Sequence, residues 1–251
     1  MEIIGQVALV TGAGQGIGRA ISFALAAKGA RVAVNDVCEE TAERTCRELI
    51  DEGFQAQAVA ADVADDDSVR EMVTQVIEGL GPIDILVNNA AAPAEPQAFA
   101  HSTPDTQQQE LVTLLGTLNC SRHVCRGMIE RGRGSIVNIS SIAGRYSMPT
   151  RAVYAAANAG IESFTRSLGK ELGRHGITVN AVSPGATESP RFRARSDEVR
   201  KGIARSIALG RFAEPEEIAD AVVFLASDKA RYLSGAVIEV AGGFGGFLPP
   251  E

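Results

Sequence analysis

Four glycines, Gly12, Gly14, Gly16 and Gly18, fall within seven residues, directly after the apolar run Val7 to Val10. A strand that breaks into such a turn and then starts a helix aims free backbone N–H groups at an anion, the arrangement that holds a pyrophosphate. Gly12 lets the chain turn sharply, and Gly16 and Gly18 leave out a Cβ where a phosphate and a packed helix must come close. Gln15 and Ile17 sit inside the same turn. About twenty residues later the run RVAVND ends in Asp36, at the spacing of a dinucleotide-binding unit. Its carboxylate can accept hydrogen bonds from both ribose hydroxyls of an adenosine and would repel a 2′-phosphate. Gln15 and Val37 offer no positive charge for such a phosphate, so this reading favours NAD over NADP. Asp62, followed by Val63, closes a third apolar run. It could meet the adenine amino group, and Asp62 or Asp65 could equally cap the next helix. The strand IDILVNNA runs into Asn88 and Asn89 and ends at Ala90. Amides there could bond the neighbouring backbone and a cofactor ribose.

The elements that must position these groups alternate along the chain. Ile17 to Lys28 repeats apolar residues at helical spacing and stops at Gly29, and Glu39 to Glu52 reads as a second helix closed by Gly53. QAQAVAAD is a third strand, followed by a helix from Asp66 to Gly79. The loop from Ala91 to Pro104 has three prolines and apolar side chains that suit one wall of a substrate pocket. A fourth helix covers Asp105 to Arg131, a fifth strand Gly134 to Ser141, a further helix Ala152 to Arg174, and a sixth strand ends at Pro184-Gly185. Ala186 to Gly210 is polar and reads as a mobile lid. Pro215 opens the last helix, and SGAVIEVAGG makes the last strand. Strands alternating with helices predict an α/β fold, a Rossmann-type, doubly wound parallel sheet of about seven strands with helices on both faces. With no second core or linker in sight, residues 1–251 are expected to form a single dinucleotide-binding domain with a lid at about 186–210.

Composition excludes several partners. The 251 residues carry a formal net charge of −7, with a pI near 5.2, which argues against a nucleic-acid surface. No apolar run approaches the eighteen or so residues of a membrane span, and the first residues lack a signal-peptide pattern. The expectation is a cytoplasmic chain without membrane or nucleic-acid partners. Cysteines 38, 46, 120 and 125 form no CxxC pair, and the three histidines are scattered, so neither a metal site nor a disulfide framework is expected.

The chain resembles the short-chain dehydrogenase/reductases over nearly its whole length. The matching stretches are TGAGQGIG, Asp36, Asp62-Val63, NNA, NISS, Tyr154 thirteen residues after Ser141, VNAVSPG and the closing SGAVIEVAGG. The resemblance implies hydride transfer between NAD(P) and a carbonyl or alcohol. It implies that Tyr154 exchanges a proton with the substrate oxygen and that Ser141 holds that oxygen. In the family a lysine four residues after the tyrosine grips the ribose and favours the phenolate, and an asparagine in the preceding helix completes a water-linked proton relay. It also implies that Ile17, Val63, Ala90, Pro184, Gly185 and Thr187 border the cofactor, as do Tyr154 and the residue at 158. A homodimer or homotetramer joined through the fourth and fifth helices is implied too, and the small side chains of YAAANAGIESF would permit close helix contact.

Two of the four catalytic positions depart from the family pattern. Tyr154 is followed by AAAN, so Asn158 stands where the lysine belongs, and Thr113 replaces the relay asparagine. Ala91 replaces the glycine of NNAG, and Ala241 the acid usual before the last glycine pair. A unit charge about 5 Å from a phenolate, at an effective dielectric near 20, is worth roughly 3 kcal/mol, or about two pKa units. Losing it costs acid–base work at neutral pH roughly a hundredfold. Asn158 can still hydrogen-bond ribose hydroxyls. Arg145 and Arg151, in the loop before Tyr154, could supply the charge instead. With Arg191, Arg193 and Arg195 they would suit an anionic substrate such as a carboxylate or a coenzyme A thioester, and they could equally be solvated. The leading expectation is an NAD-dependent oxidoreductase acting on a secondary alcohol or ketone. The alternatives are non-redox chemistry on the same fold (dehydration, isomerisation or bond cleavage) and an NAD-binding subunit with impaired catalysis.

Overall fold

A computed structural model of the chain describes residues 3–146 and 148–244, with side chains throughout that span except at 190 and 191. Its elements are β1 (Val7–Val10), α1 (Gly16–Ala27), β2 (Arg31–Asp36), α2 (Glu39–Asp51), β3 (Ala56–Ala60), α3 (Asp66–Leu80), β4 (Ile83–Asn88) and α4 (Pro104–Arg131). They continue with β5 (Gly134–Ile139), α5 (Ala152–Leu172), β6 (Ile177–Pro184), α6 (Pro190–Arg193), α7 (Asp197–Ala204), α8 (Pro215–Ala226) and β7 (Val237–Val240).

The seven strands form one sheet in the order β3-β2-β1-β4-β5-β6-β7, with every adjacent pair parallel. Parallel strands are covered on both faces and therefore run apolar without interruption, as VALV of β1 does. The period of two then divides each strand between two cores. Ala8 and Val10 join Ile21, Leu25, Leu49 and Val222 on one face. Val7 and Leu9 join Met72, Val76, Met128 and Ile136 on the other. Helices α1, α2 and α8 cover the first face, and α3, α4 and α5 the second.

Local chemistry sets the helix ends. Thr103 and Thr106 form a reciprocal capping box with Pro104 in the first turn of α4, and Gly132 ends that helix in a left-handed conformation. Glu214 and Glu217 do the same for α8, again with Pro215 in the first turn. Asp65, not Asp62, caps α3: its side chain accepts the Ser68 N–H. This decides an alternative that two neighbouring acids left open.

Two expected bounds move. Strand β5 ends at Ile139, so Ser141 lies beyond it and caps a short 3-10 turn over Ile142–Gly144. Helix α5 ends at Leu172 and gives way to a 3-10 turn, Gly173–His175. The proline-rich segment holds another such turn at Phe99–His101. The polar segment 186–210 contains α6 and α7.

Strand order matters most for the site. The chain leaves β1 for β2 and β3 on one side, then returns to β4, β5 and β6 on the other. The loops after β1 and β4 therefore diverge and open a crevice at the carboxyl edge, where open α/β sheets bind ligands.

Candidate functional site

The turn after β1 is locked against the end of β4. The Thr11 hydroxyl accepts the N–H groups of Asn89 and Ala90 at 3.0 and 3.1 Å. The Asn89 amide donates to the carbonyls of Thr11 and Gly12 at 2.9 and 3.0 Å. Gly12 has φ +61°, and a Cβ there would lie 2.7 Å from the Ala90 Cα. A Cβ on Gly18 would fall on the Gly12 carbonyl oxygen. These two glycines thus serve contact between chain segments. Gly16, at φ +56°, has no protein atom within 4 Å of where its Cβ would be. The first N–H groups of α1 have no side-chain cap from Gln15, which leaves donors for a ligand.

Asp36 closes the turn from the other side. One carboxylate oxygen accepts the Gly14 N–H at 3.0 Å and the other the Cys38 N–H at 3.1 Å. Each oxygen keeps a lone pair free. Nearby Arg44 donates to the Gly14 carbonyl at 3.1 Å, so its charge is tied beneath the turn. Asp62 accepts the Ala64 N–H at 2.8 Å.

Asn88 corrects the sequence reading. Its side chain is buried away from the crevice, donating to Ser121 Oγ at 3.1 Å and Asn138 Oδ1 at 2.8 Å, while Asn138 donates to Thr165 Oγ1 at 2.9 Å. This polar chain ties β4 and β5 to α4 and α5, so Asn89 is the only one of the pair at the turn.

A cleft of about 580 Å³ gathers these groups. Asp36, Val37, Asp62 and Val63 line the end near β2 and β3, and Gly12, Gln15, Ile17, Gly18, Asn89 and Ala90 line the middle. Thr113, Ser141, Tyr154, Asn158, Pro184, Gly185 and Thr187 line the end near β5 and β6. Gly14, Gly16 and Asn88, singled out in sequence, do not line it. Val112, Ser140, Glu188, Ser189 and Phe192 also line it and were missed. The usable signal was position, because each neighbours a strand end or a singled-out residue.

At the β5 end, Ser141 Oγ accepts the Ala143 N–H at 3.2 Å, which leaves its O–H free to donate. Asn158 is buried, and its amide donates to the Tyr154 carbonyl at 2.8 Å. The Thr113 hydroxyl donates to the Ala90 carbonyl at 3.1 Å. Tyr154 is half-buried, and the Arg151 guanidinium carbon lies 5.5 Å from its ring centroid.

The arginines near Tyr154 sit beside the cleft. No Arg or Lys is among the described residues that line the cleft. Arg145 faces Glu239 at 3.5 Å, and Arg195 pairs with Glu95 at 3.1 Å. Arg200 and Arg193 both meet Glu188, at 2.5 and 3.6 Å. Hydrogen bonding from Arg200 holds the Glu188 carboxyl below the usual carboxylate range, so it remains an anion at neutral pH. The Arg191 side chain lies outside the described residues. Asp36, Asp62 and Glu188 are the carboxylates of the lining.

Thr150, just before Arg151, is the one non-glycine residue with positive φ among those described, at +67°. A β-branched residue pays steric energy in that region. Thr150→Gly should therefore stabilise the protein by about 1 kcal/mol, roughly 2–4 °C in Tm. Thermal unfolding of the two proteins checks this, and an unchanged or lower Tm would refute the strain.

The four cysteines are free, and burial pushes the Cys120 thiol up to about 12. Among the described residues no cluster of His, Cys, Asp or Glu could hold a metal ion, and no helix is long and apolar enough to cross a membrane.

Comparison with known proteins agrees with this geometry. A protein-family model described as enoyl-(acyl carrier protein) reductase matches residues 12–245. A 3-oxoacyl-(acyl-carrier-protein) reductase, FabG, of Staphylococcus aureus (strain Mu50 / ATCC 700699) is 40% identical over 237 residues, covering 94% of this chain and 96% of the relative. A cis-4-hydroxycyclohexanecarboxylate dehydrogenase of Sinomonas cyclohexanicum is 40% identical over 241 residues, covering 95% and 96%. Among solved structures, a gluconate 5-dehydrogenase from Burkholderia cenocepacia J2315 in complex with NADP and tartrate superposes with a TM-score of 0.91 at 33% identity, covering 96% of this chain and 95% of that one.

Proposed function

The chain belongs to the short-chain dehydrogenase/reductase family and is an oxidoreductase built for a nicotinamide cofactor; within that frame, we propose that it uses NAD to interconvert a neutral secondary alcohol and its ketone. The observation that carries this reading is a single cleft with Asp36 at one end and Ser141 with Tyr154 at the other. The empty space beside Gly16 and the free lone pairs of Asp36 fit a pyrophosphate and an adenosine ribose. NAD, held by these residues, would supply the acceptor for a hydride from the carbinol carbon. Ser141 donates its O–H to the substrate oxygen. Tyr154, as phenolate, takes the hydroxyl proton, so the alcohol loses a hydride and a proton and leaves as a ketone. In reverse, Tyr154 returns the proton. The absence of cationic groups among the described lining residues supports a neutral substrate over a carboxylate or a coenzyme A thioester.

We further infer one dinucleotide-binding domain with residues 186–210 as its lid, a cytoplasmic setting, and a homodimer or homotetramer joined through α4 and α5. Leu115 and Leu118 of α4 are exposed apolar residues that such contact would cover. A second, non-redox reading is favoured by Asn158, whose amide donates to the Tyr154 carbonyl and supplies no charge.

Calorimetry with NAD, NADH and NADP, followed by absorbance at the nicotinamide band with cyclic alcohols, hydroxyacids and hydroxyacyl thioesters, tests the proposal. NAD binding with reduction by a neutral alcohol is the expected result. Binding without reduction by any substrate would favour the non-redox reading, and tighter binding of NADP than NAD would refute the cofactor assignment. In Asp36→Asn, loss of a charged hydrogen bond worth about 1.5–3 kcal/mol should weaken NAD binding at least about tenfold while leaving NADP binding unchanged or improved.

A further inference from the structure

We propose that Arg151 supplies, across the face of the Tyr154 ring, the positive charge that Asn158 cannot. The inference rests on the reading of Tyr154 as the proton-transfer group. Arg151 immediately precedes α5, three residues before Tyr154, and its guanidinium carbon sits 5.5 Å from the ring centroid. Among the described residues no other arginine or lysine stands over this ring.

The placement of Arg151 is built. Its side chain is 17% exposed and donates to the Ala94 carbonyl at 2.6 Å, while Glu110 of α4, 11% exposed, lies 3.5 Å away. Glu110 is one helical turn before Thr113, so α4 anchors the pair beside the cleft. The strained Thr150 comes just before, and its carbonyl accepts the Gln97 N–H at 3.1 Å, tying this loop to the proline-rich segment. Strain held next to a site by surrounding contacts is a mark of a positioned group.

The physics follows from the ring. A cation over an aromatic face is attracted by the ring's electron density, and ionising the phenol adds negative charge to that same π-system. Partial burial strengthens the attraction. Guanidinium stacks on aromatic faces and keeps its proton throughout the working range, so the charge is constant. Of the other charged groups around Tyr154, Glu110 opposes the effect. Asp36 and Asp62 lie at the far end of the cleft, and Glu188 is held by Arg200 and Arg193. Arg145 is engaged with Glu239. Arg151 is therefore a positioning residue acting through Tyr154, one that replaces in part the missing lysine.

The test needs a readout besides turnover. In mildly alkaline buffer, the tyrosinate ultraviolet signal that Tyr154→Phe removes reports this one phenolate. It should fall about tenfold in Arg151→Gln, recover in Arg151→Lys, and rise in Glu110→Gln, since tenfold corresponds to about 1.4 kcal/mol of cation–ring interaction. The acidic limb of the rate profile for NADH formation should move up by about one pH unit in Arg151→Gln, with NADH binding unchanged. Should Arg151→Gln fail to fold, the double variant Arg151→Gln/Glu110→Gln removes both charges without stranding a buried carboxylate. An unchanged phenolate signal in Arg151→Gln against wild type, or in the double variant against Glu110→Gln alone, overturns the assignment. If wild type forms no NADH from any alcohol while the phenolate signal still follows Arg151, the oxidoreductase reading fails and the role of Arg151 stands.

Discussion

Replacing Tyr154 by phenylalanine is expected to cut turnover by about 10²–10⁴-fold, some 3–5 kcal/mol of transition-state stabilisation, while leaving NAD affinity nearly unchanged. The substitution removes one oxygen and keeps the ring, so Arg151 retains its partner face at 5.5 Å and α5 retains its packing. Neither Asn158 nor Thr113 can take over the proton. Asn158 has no titratable group and is buried with its amide on the Tyr154 carbonyl, and the Thr113 hydroxyl is bonded to the Ala90 carbonyl. Ser141 would still hold the substrate oxygen, which leaves the residual rate. Steady-state NADH formation beside calorimetric NAD binding separates the two quantities. Full activity in the variant would remove Tyr154 from both the redox and the non-redox mechanisms, and loss of NAD binding would show that the hydroxyl serves the cofactor.

Gly18→Ala should be equally damaging in the middle of the cleft, for a steric reason. The added methyl falls on the Gly12 carbonyl oxygen and lies 2.5 Å from the Asn89 amide nitrogen. Both atoms belong to the lock between β1 and β4, so neither can yield as the end of a flexible chain would. The turn must open, at a cost of about 2–4 kcal/mol in stability. NAD affinity should fall by about a hundredfold or more as the N–H groups lose their aim. Gly16→Ala offers the contrast, because its methyl meets no protein atom and the cost reduces to the positive φ of +56°, about 1–2 kcal/mol. Denaturant unfolding with NAD titration checks both variants. Wild-type stability and affinity in Gly18→Ala would show that the turn is more plastic than its contacts imply.

Much of the molecule was legible in the sequence because the signals are local. Backbone sterics demand glycine where a turn passes another segment, and the seven-stranded parallel sheet follows from apolar runs alternating with helical periodicity. What misled was mostly a matter of faces and partners. Asn88 ends β4 and Asn89 follows it, and the alternation of the strand sends neighbouring side chains to opposite faces. Nothing in NNA says which one faces the crevice. Pairing of Asn88 with Asn138 across β4 and β5 settles it. Asp62 and Asp65 were equivalent as caps until backbone geometry placed Ser68 on Asp65.

The arginines show the same division more sharply. Their number and position near Tyr154 are plain in the sequence, which left open both an anion-binding pocket and solvated side chains. Their charges are instead answered by carboxylates far along the chain, Arg195 by Glu95 and Arg145 by Glu239. Such pairs form only when segments from different strands meet at one sheet edge. By itself the sequence determined the sheet, the dinucleotide turn, the acid at Asp36 and the loss of a lysine at 158, since each depends on residues close in the chain and on backbone sterics. Tertiary structure alone decided which asparagine faces the cleft, which charges are already paired, and that Arg151 stands over Tyr154. The reason is that electrostatic and hydrogen-bond partners are chosen by distance in space, and the strand order 3-2-1-4-5-6-7 brings together groups the chain keeps far apart.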